Sequence, residues 1–568
     1  MVNELEEIGF KGPPDDVVER SEKRSNFSLI LFIFLLIGFG IRLYVSWQDV
    51  VTLFQKCVVD DAFFYFGIAK NIAAGKGPTF DGSIMTNGFH PIYALLLVPI
   101  FWFSLENPEI PVHVALTILS VFNVLTGYVV FLIVRKMAGR MAGLFGAFLW
   151  LFNPFVILIA LSGVEVGVAA FFMCLCIYVH LQGRNAEHVS LPKRVLLSLL
   201  TALAVLSRVD AVFIFIAMAL DLWYLDYRKG NSFIKSLSQP TLYCLITLLL
   251  LSPWFFWNLY HFGTIRQISG VTLPNIAHNM YLMKYKTYLS LSFLKTELFF
   301  LKVWIEHIIQ FSGGIVLFVI IFIFFVVGAR KNIANKMSGI LEKVKQLHFA
   351  LLACILLVFF YAFYFWGWLR PWYYLPVMLI VTIYLGSMVG HASEGFFRNS
   401  VERAKGGVPI FVLFLICTIY FSYQGMNAWQ KGLFPFQKQL YESAVWLKEN
   451  TPENSKIGAV SAGIYGYMNG RTIDLAGVVN EEAYRAMREK RIFTYLKEKQ
   501  IDYLVDREDM IQFYNNRFNR KDFIRDLKLI KRFGNQSSDI VVYQIDHPAP
   551  IGGAQKGSPN ESDFNSTL

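Results

Sequence analysis

Residues 58–91 read VVDDAFFYFGIAKNIAAGKGPTFDGSIMTNGFHP. Two adjacent carboxylates, Asp60 and Asp61, are followed by an aromatic cluster (Phe63, Phe64, Tyr65, Phe66), a turn at Gly75, Gly77 and Pro78, and the run Thr86-Asn87-Gly88-Phe89-His90-Pro91. Neighbouring acids repel each other and lose solvation beside apolar surface, so they call for a partner: a cation, a metal ion or an acceptor proton. Aspartates in such a place also cap helices, and a helix is expected to begin at Ala62. The residues by themselves leave both readings open.

What surrounds this stretch is lipid-like. The pair stands about a dozen residues beyond the first of about eleven apolar runs, each a candidate for the roughly 20 residues that cross a bilayer. These runs cover 28–47, 113–134, 141–160, 164–181, 195–207, 211–225, 240–258, 306–328, 347–367, 372–389 and 408–426. Charged residues make up only 16% of the 568-residue chain, against roughly 25% in soluble proteins. The segment 90–105 is apolar but short, and reads as a juxtamembrane or re-entrant piece. The formal charge of +11 would suggest nucleic acid in a soluble protein. Here it reflects Lys and Arg gathered at the cytoplasmic ends of spans, and no nucleic-acid partner is expected. With the N-terminus inside, the short inner loops carry Arg135, Lys136 and Arg140; Arg184, Lys193 and Arg194; Arg228, Lys229 and Lys235; Arg330, Lys331, Lys336, Lys343 and Lys345; and Arg398, Arg403 and Lys405. The short outer loops hold only Arg208 and Arg370. Counting 90–105 as a span would invert this pattern.

The expected organisation is a cytoplasmic tail without structure (1–27), a helical polytopic membrane domain (28–426) with long outer loops at 48–112 and 261–305, an extracytoplasmic α/β domain (427–548) and a disordered tail (549–568). Within the outer domain, WLKENTPENSKIGAVSAG reads as helix, turn and strand, EEAYRAMREKRIFTYLKEKQ as one amphipathic helix, and IDYLVD and DIVVYQI as strands. No cleavable signal peptide is evident before the first run. Five of the six cysteines, all but Cys57, lie in apolar runs, and none shows paired or metal-ligand spacing, so neither a disulfide framework nor a zinc site is read.

Further ionisable residues interrupt the apolar runs. Glu165, in NPFVILIALSGVEVGVAAFF, is either a functional acid by default or a glutamate reaching interfacial water. Arg208 and Asp210 form a polar island that either neutralises its own turn or meets substrate. Arg370, in FWGWLRPWYYLP, lies among Trp368, Trp372, Tyr373 and Tyr374. Its fork suits phosphate oxygens, and the alternative is a snorkelling arginine in an aromatic belt.

The segment 59–91 resembles the first outer loop of the GT-C superfamily of membrane glycosyltransferases, in particular the prokaryotic branch related to protein mannosyltransferases and aminoarabinose transferases. The likeness extends diffusely over about 25–430. It implies transfer of a sugar from a polyprenyl- or dolichyl-phosphate donor to an acceptor (protein, lipid or glycan) on the extracytoplasmic face of a prokaryotic plasma membrane. Carried over residue by residue, Asp60 matches the general base, with Asp61 and Glu165 orienting it or sharing a Mg²⁺ or Mn²⁺ ion. Arg370, with Tyr373, Tyr374 and His90, matches the donor-phosphate site, while Arg208, Asp210 and Asn87 have a substrate or structural role. One in-line displacement at the anomeric carbon would invert configuration. Competing readings are a transporter or flippase, which would favour charges at the bilayer midplane and internal repeats, and a scaffold that binds through its outer domain.

Overall fold

The computed structural model describes residues 15–103, 107–184, 190–285, 291–311, 338, 342, 344–365, 370–396, 400–517, 527–534 and 539–546. Among them, six helices are long and apolar enough to cross a membrane: Phe27–Ser46, Ile110–Ala138, Val166–Gly183, Phe233–Phe262, Lys345–Tyr364 and Pro371–His391. The run expected at 141–160 is a bent pair, Arg140–Phe152 and Pro154–Ala160, meeting at 57°. The bend follows from the sequence. Pro154 cannot donate to the preceding turn and holds Asn153 extended. The freed amides of Phe155 and Val156 are then caught by the Asn153 side chain. The runs at 195–207 and 211–225 are helices Leu191–Ser207 and Val212–Arg228, of 17 residues each, about 26 Å long at the usual rise. The segment 90–105 forms the helix Pro91–Phe103, about 20 Å and too short to span. Most of the run at 306–328 lies outside the described residues, as do the tails 1–14 and 549–568. Residues 15–25, expected to lack structure, continue the first helix, Asp15–Ser46.

Small residues set the helix spacing. A Cβ on Gly143 would lie 2.9 Å from the Phe131 carbonyl oxygen, and one on Gly390 would run into Ala142, so these helices pack backbone to backbone. Arg42, 0% exposed in the first span, went unremarked in the sequence. Its Nε donates to the Asn123 side chain and one terminal nitrogen to the carbonyls of Gly38 and Leu151, each at 2.8 Å, so it ties three helices together, while its other terminal nitrogen is buried without a hydrogen-bond partner.

Beyond the helix Ser400–Lys431 the chain forms an α/β unit on a five-stranded sheet. The strands are β1 (Ile457–Ala459), β2 (Thr472–Asp474), β3 (Tyr503–Arg507), β4 (Leu527–Phe533) and β5 (Ile540–Ile545), in the order β2-β1-β3-β5-β4. β1 runs parallel to β2 and β3, and β5 antiparallel to β3 and β4. Alternation along β3 sends Val505 into the main core and Leu504 into a smaller core under the other face. The expected single helix over 481–500 is two, Glu481–Arg488 and Ile492–Glu498, broken where Lys490 takes a positive φ of 60°.

Candidate active site

Asp61, Glu165, Arg208 and the turn at 372–373 come together around one cavity of about 170 Å³. Each reaches it from a helix end. Asp61 opens the helix Ala62–Ala73, and Tyr65 stands one turn further along it. His90 precedes the helix Pro91–Phe103, and Glu165 precedes Val166–Gly183. Arg208 and Asp210 follow Leu191–Ser207, and Trp372 and Tyr373 lie in the one-turn helix Pro371–Tyr374. Gln267, Ser269 and Leu273 close one side, and Tyr361 and Phe365 another.

Arg208 is the hub. Its guanidinium is ion-paired to Glu165, donates from Nε to Asp210 at 2.7 Å and from a terminal nitrogen to the Tyr361 hydroxyl at 2.8 Å. It lies 5.3 Å over the Tyr373 ring, which stacks on Tyr361 at 4.3 Å. Tyr361 in turn donates to Asp210 at 2.5 Å. Arg208 and Asp210 therefore pair with each other, yet both also line the cavity. The Tyr65 hydroxyl and His90 Nδ1 share a hydrogen bond of 2.7 Å, and His90 stands 3.5 Å from Glu165.

The two adjacent acids part ways. Asp60 does not line the cavity. Its carboxylate accepts the backbone amides of Gly463 (3.2 Å) and Ile464 (2.8 Å), in the first turn of the helix Ala462–Asn469. It thus caps a helix of the α/β unit, some four hundred residues further on. Burial, opposed by the Ile464 amide, pushes its pKa up to about 7. Asp61 occupies the N-cap position of Ala62–Ala73 but makes no capping bond, and faces the cavity instead. Burial raises its pKa, the Arg370 charge pulls the other way, and Glu165 reinforces the rise.

Arg370 sits beside this cavity with its guanidinium 6.0 Å over the Trp372 ring, close enough for its charge to act on Asp61 and Tyr373. Tyr374 points elsewhere: its hydroxyl meets His307 at 2.9 Å and its ring packs on Trp304. Asn87 is spent on structure, donating to Asn258 at 2.7 Å and to the Arg266 carbonyl, and accepting from Ile268 at 3.0 Å. Asp60, Asp61 and Glu165 do not form a ligand set for a divalent cation, because Asp60 faces the α/β unit and Glu165 is held by Arg208. Among the described residues no three His, Cys, Asp or Glu side chains converge for a metal ion.

Sequence reading passed over two contributors. Tyr361 carried only the weak signal of a hydroxyl within an apolar run. Gln267, whose side chain donates to the Phe89 carbonyl at 2.7 Å and so anchors the His90 turn, carried none.

Comparison with known proteins agrees with this architecture. The structure superposes on ArnT from Cupriavidus metallidurans bound to undecaprenyl phosphate, with a TM-score of 0.54 and 12% identity, over 90% of this chain and 97% of that one. The same enzyme in the apo state gives a TM-score of 0.53 at 13% identity, with the same coverage. The Archaeoglobus fulgidus oligosaccharyltransferase in the apo form matches with a TM-score of 0.50 and 14% identity, over 85% of this chain and 70% of that one. The likeness is one of overall fold. Residues 429–546 match a domain of unknown function, DUF8728. No curated protein matches the chain in sequence.

Proposed function

We propose that this chain is an integral membrane glycosyltransferase that moves a sugar from a polyprenyl- or dolichyl-phosphate donor to an acceptor on the extracytoplasmic face. The observation that carries the reading is the placement of a carboxylate with no capping bond, Asp61, in a cavity beside Arg370 and Arg208 at the ends of spanning helices. The neighbours' lipid-phosphate ligand supports the choice of donor.

The base is Asp61 rather than Asp60, whose carboxylate is committed to the helix Ala462–Asn469. Asp61 takes the acceptor proton as the acceptor oxygen attacks the anomeric carbon. The bond from that carbon to the phosphate oxygen breaks, and the lipid phosphate leaves with the electron pair. Arg370 stabilises the charge that develops on this leaving group, an effect typically worth about 3 kcal/mol of barrier. Arg208, fixed by Glu165, Asp210 and Tyr361, holds the cavity wall and keeps Tyr373 in place. One displacement inverts the anomeric configuration. In this reading the chain crosses the membrane about eleven times with its N-terminus inside, and the domain 427–548 lies outside, against the mouth of the site.

The test uses full-length protein in nanodiscs with radiolabelled polyprenyl-phosphate monosaccharides and membrane-extracted acceptors, with and without EDTA. Wild type should transfer label. Asp61→Asn should lose about 10²–10⁴-fold while retaining donor binding, and Asp60→Asn should lose far less. Full activity in Asp61→Asn, or no saturable donor binding by wild type, would overturn the proposal, and the latter would favour a transporter.

A further inference from the structure

At the opposite ends of the same spans lies a second and larger cavity, of about 330 Å³. The helix Val166–Gly183 has Glu165 at its start, in the candidate active site, and Gly183 and Arg184 at its finish, in this second cavity. Its 18 residues put the two sites about 27 Å apart along the helix axis. The helix Leu191–Ser207 repeats the relation, with Lys193 and Arg194 at one end and Arg208 past the other.

Five cationic side chains line this cavity, Arg184, Lys193, Arg194, Lys229 and Lys235, against one carboxylate, Asp226. The positive-inside tendency accounts for basic residues at these helix ends, but not for their convergence from four helix ends on one cavity. Like charges gathered around a partly dry cavity repel, and a bound anion relieves them. The neighbouring acid, Asp221, is already engaged: His180 contacts it at 2.7 Å, His348 at 2.9 Å and Arg184 at 3.2 Å. Of that cluster, His180 and Arg184 line the cavity. The Nε of Arg194 is buried without any hydrogen-bond partner, a donor left open in the wall. The other wall is apolar, built by Leu197, Leu222 and Leu225 with the ring of Tyr243.

We propose that this cavity binds a phosphate group on the membrane face opposite the candidate active site. Arg194 offers a fork for phosphate oxygens, Arg184, held by Asp221, adds its charge, the lysines offer point charges, and the leucine wall takes an apolar chain attached to the phosphate. The phosphate can belong to a lipid headgroup or to a soluble phosphate, and the two are separable.

The experiment uses full-length protein purified in nonionic detergent. Phosphatidic acid and phosphatidylcholine with identical acyl chains are titrated in, and bound lipid is counted by native mass spectrometry. Wild type should hold phosphatidic acid at least about tenfold more tightly than phosphatidylcholine. Arg194→Gln combined with Lys235→Gln should bring the two lipids level. Lys345→Glu, which alters an exposed lysine on the same face outside the cavity, should leave the preference intact. Displacement of phosphatidic acid by millimolar inorganic phosphate would assign the site to a soluble phosphate, and retention would assign it to a lipid headgroup. Equal affinity of wild type for the two lipids, or an equal loss in Lys345→Glu, would overturn the proposal. If the double variant does not fold, Arg194→Gln alone carries the same comparison.

Discussion

Asp60 and Asp61 are neighbours in sequence and do different work. A carboxylate at the head of a helix is usually spent on that helix's own amides. Asp61 is not, and the two amide bonds made by Asp60 go to another part of the molecule. The pair was legible in the sequence as important, but the division of labour was not, because it depends on where residues 463 and 464 arrive. With Asp61 as base, kcat/KM should rise with pH along an acidic limb above the ordinary carboxylate range, since burial raises its pKa. Arg370 lowers that pKa, so replacing it with Gln should move the limb to higher pH as well as slow turnover by about 10²–10³-fold. A profile measured on both proteins with a saturating acceptor checks this. A limb that stays put would separate Arg370 from Asp61, and one that moves down would contradict the geometry.

At the scale of elements, apolar runs were readable because lipid demands long helices, and the strands Tyr503–Arg507 and Ile540–Ile545 were readable from β-branched residues between turn signals. The strands Thr472–Asp474 and Leu527–Phe533 were not. The first is three residues long, and the second is rich in Lys and Arg. The break at Lys490 was hidden because the amphipathic pattern continues through it. Residues 466–471, GYMNGR, form a packing motif. Phe80 sits over both Gly67 and Gly466, and Tyr467 packs on Phe63 and donates to the Pro108 carbonyl at 2.7 Å. The segment 60–80 and the helix Ala462–Asn469 thus meet through glycines and rings, with Asp60 as the polar stitch. A Cβ on Gly463 would run into the Asp60 carbonyl oxygen, a backbone atom with little room to yield. Gly463→Ala should therefore loosen this contact by about 1–3 kcal/mol. Limited proteolysis should release the C-terminal unit of this variant faster than that of wild type, while Gly40→Ala, which meets open space, should behave as wild type. Equal release rates would show that the helix is not held there.

Across the whole molecule, buried acids couple folding to pH at the junction between the membrane bundle and the α/β unit. Asp60 stands at that junction. Asp474 ends the edge strand β2, where it accepts the amides of Ala476 at 2.8 Å and Val479 at 2.9 Å. Burial, opposed by these amides, pushes its pKa up to about 7, matching Asp60. In the unfolded chain both return to an ordinary aspartate value of about 3.9. Between these values the folded protein binds more protons than the unfolded one, so its stability falls as pH rises through the window from about 4 to about 7 and levels off above it. The thermal unfolding midpoint in detergent should accordingly be higher at pH 5 than at pH 8. Asp474→Asn cannot titrate and should have a smaller difference between the two pH values. Its midpoint at pH 5 should also drop, because the amide nitrogen of the new side chain cannot accept the hydrogen bond that the corresponding oxygen of the protonated acid still accepts. A variant with the full wild-type pH difference would show that Asp474 does not carry the coupling and leave the other buried acids, Asp60 and Asp61 among them, as its source. The same measurement on Asp60→Asn then decides whether the junction itself is the pH-sensitive part of the molecule.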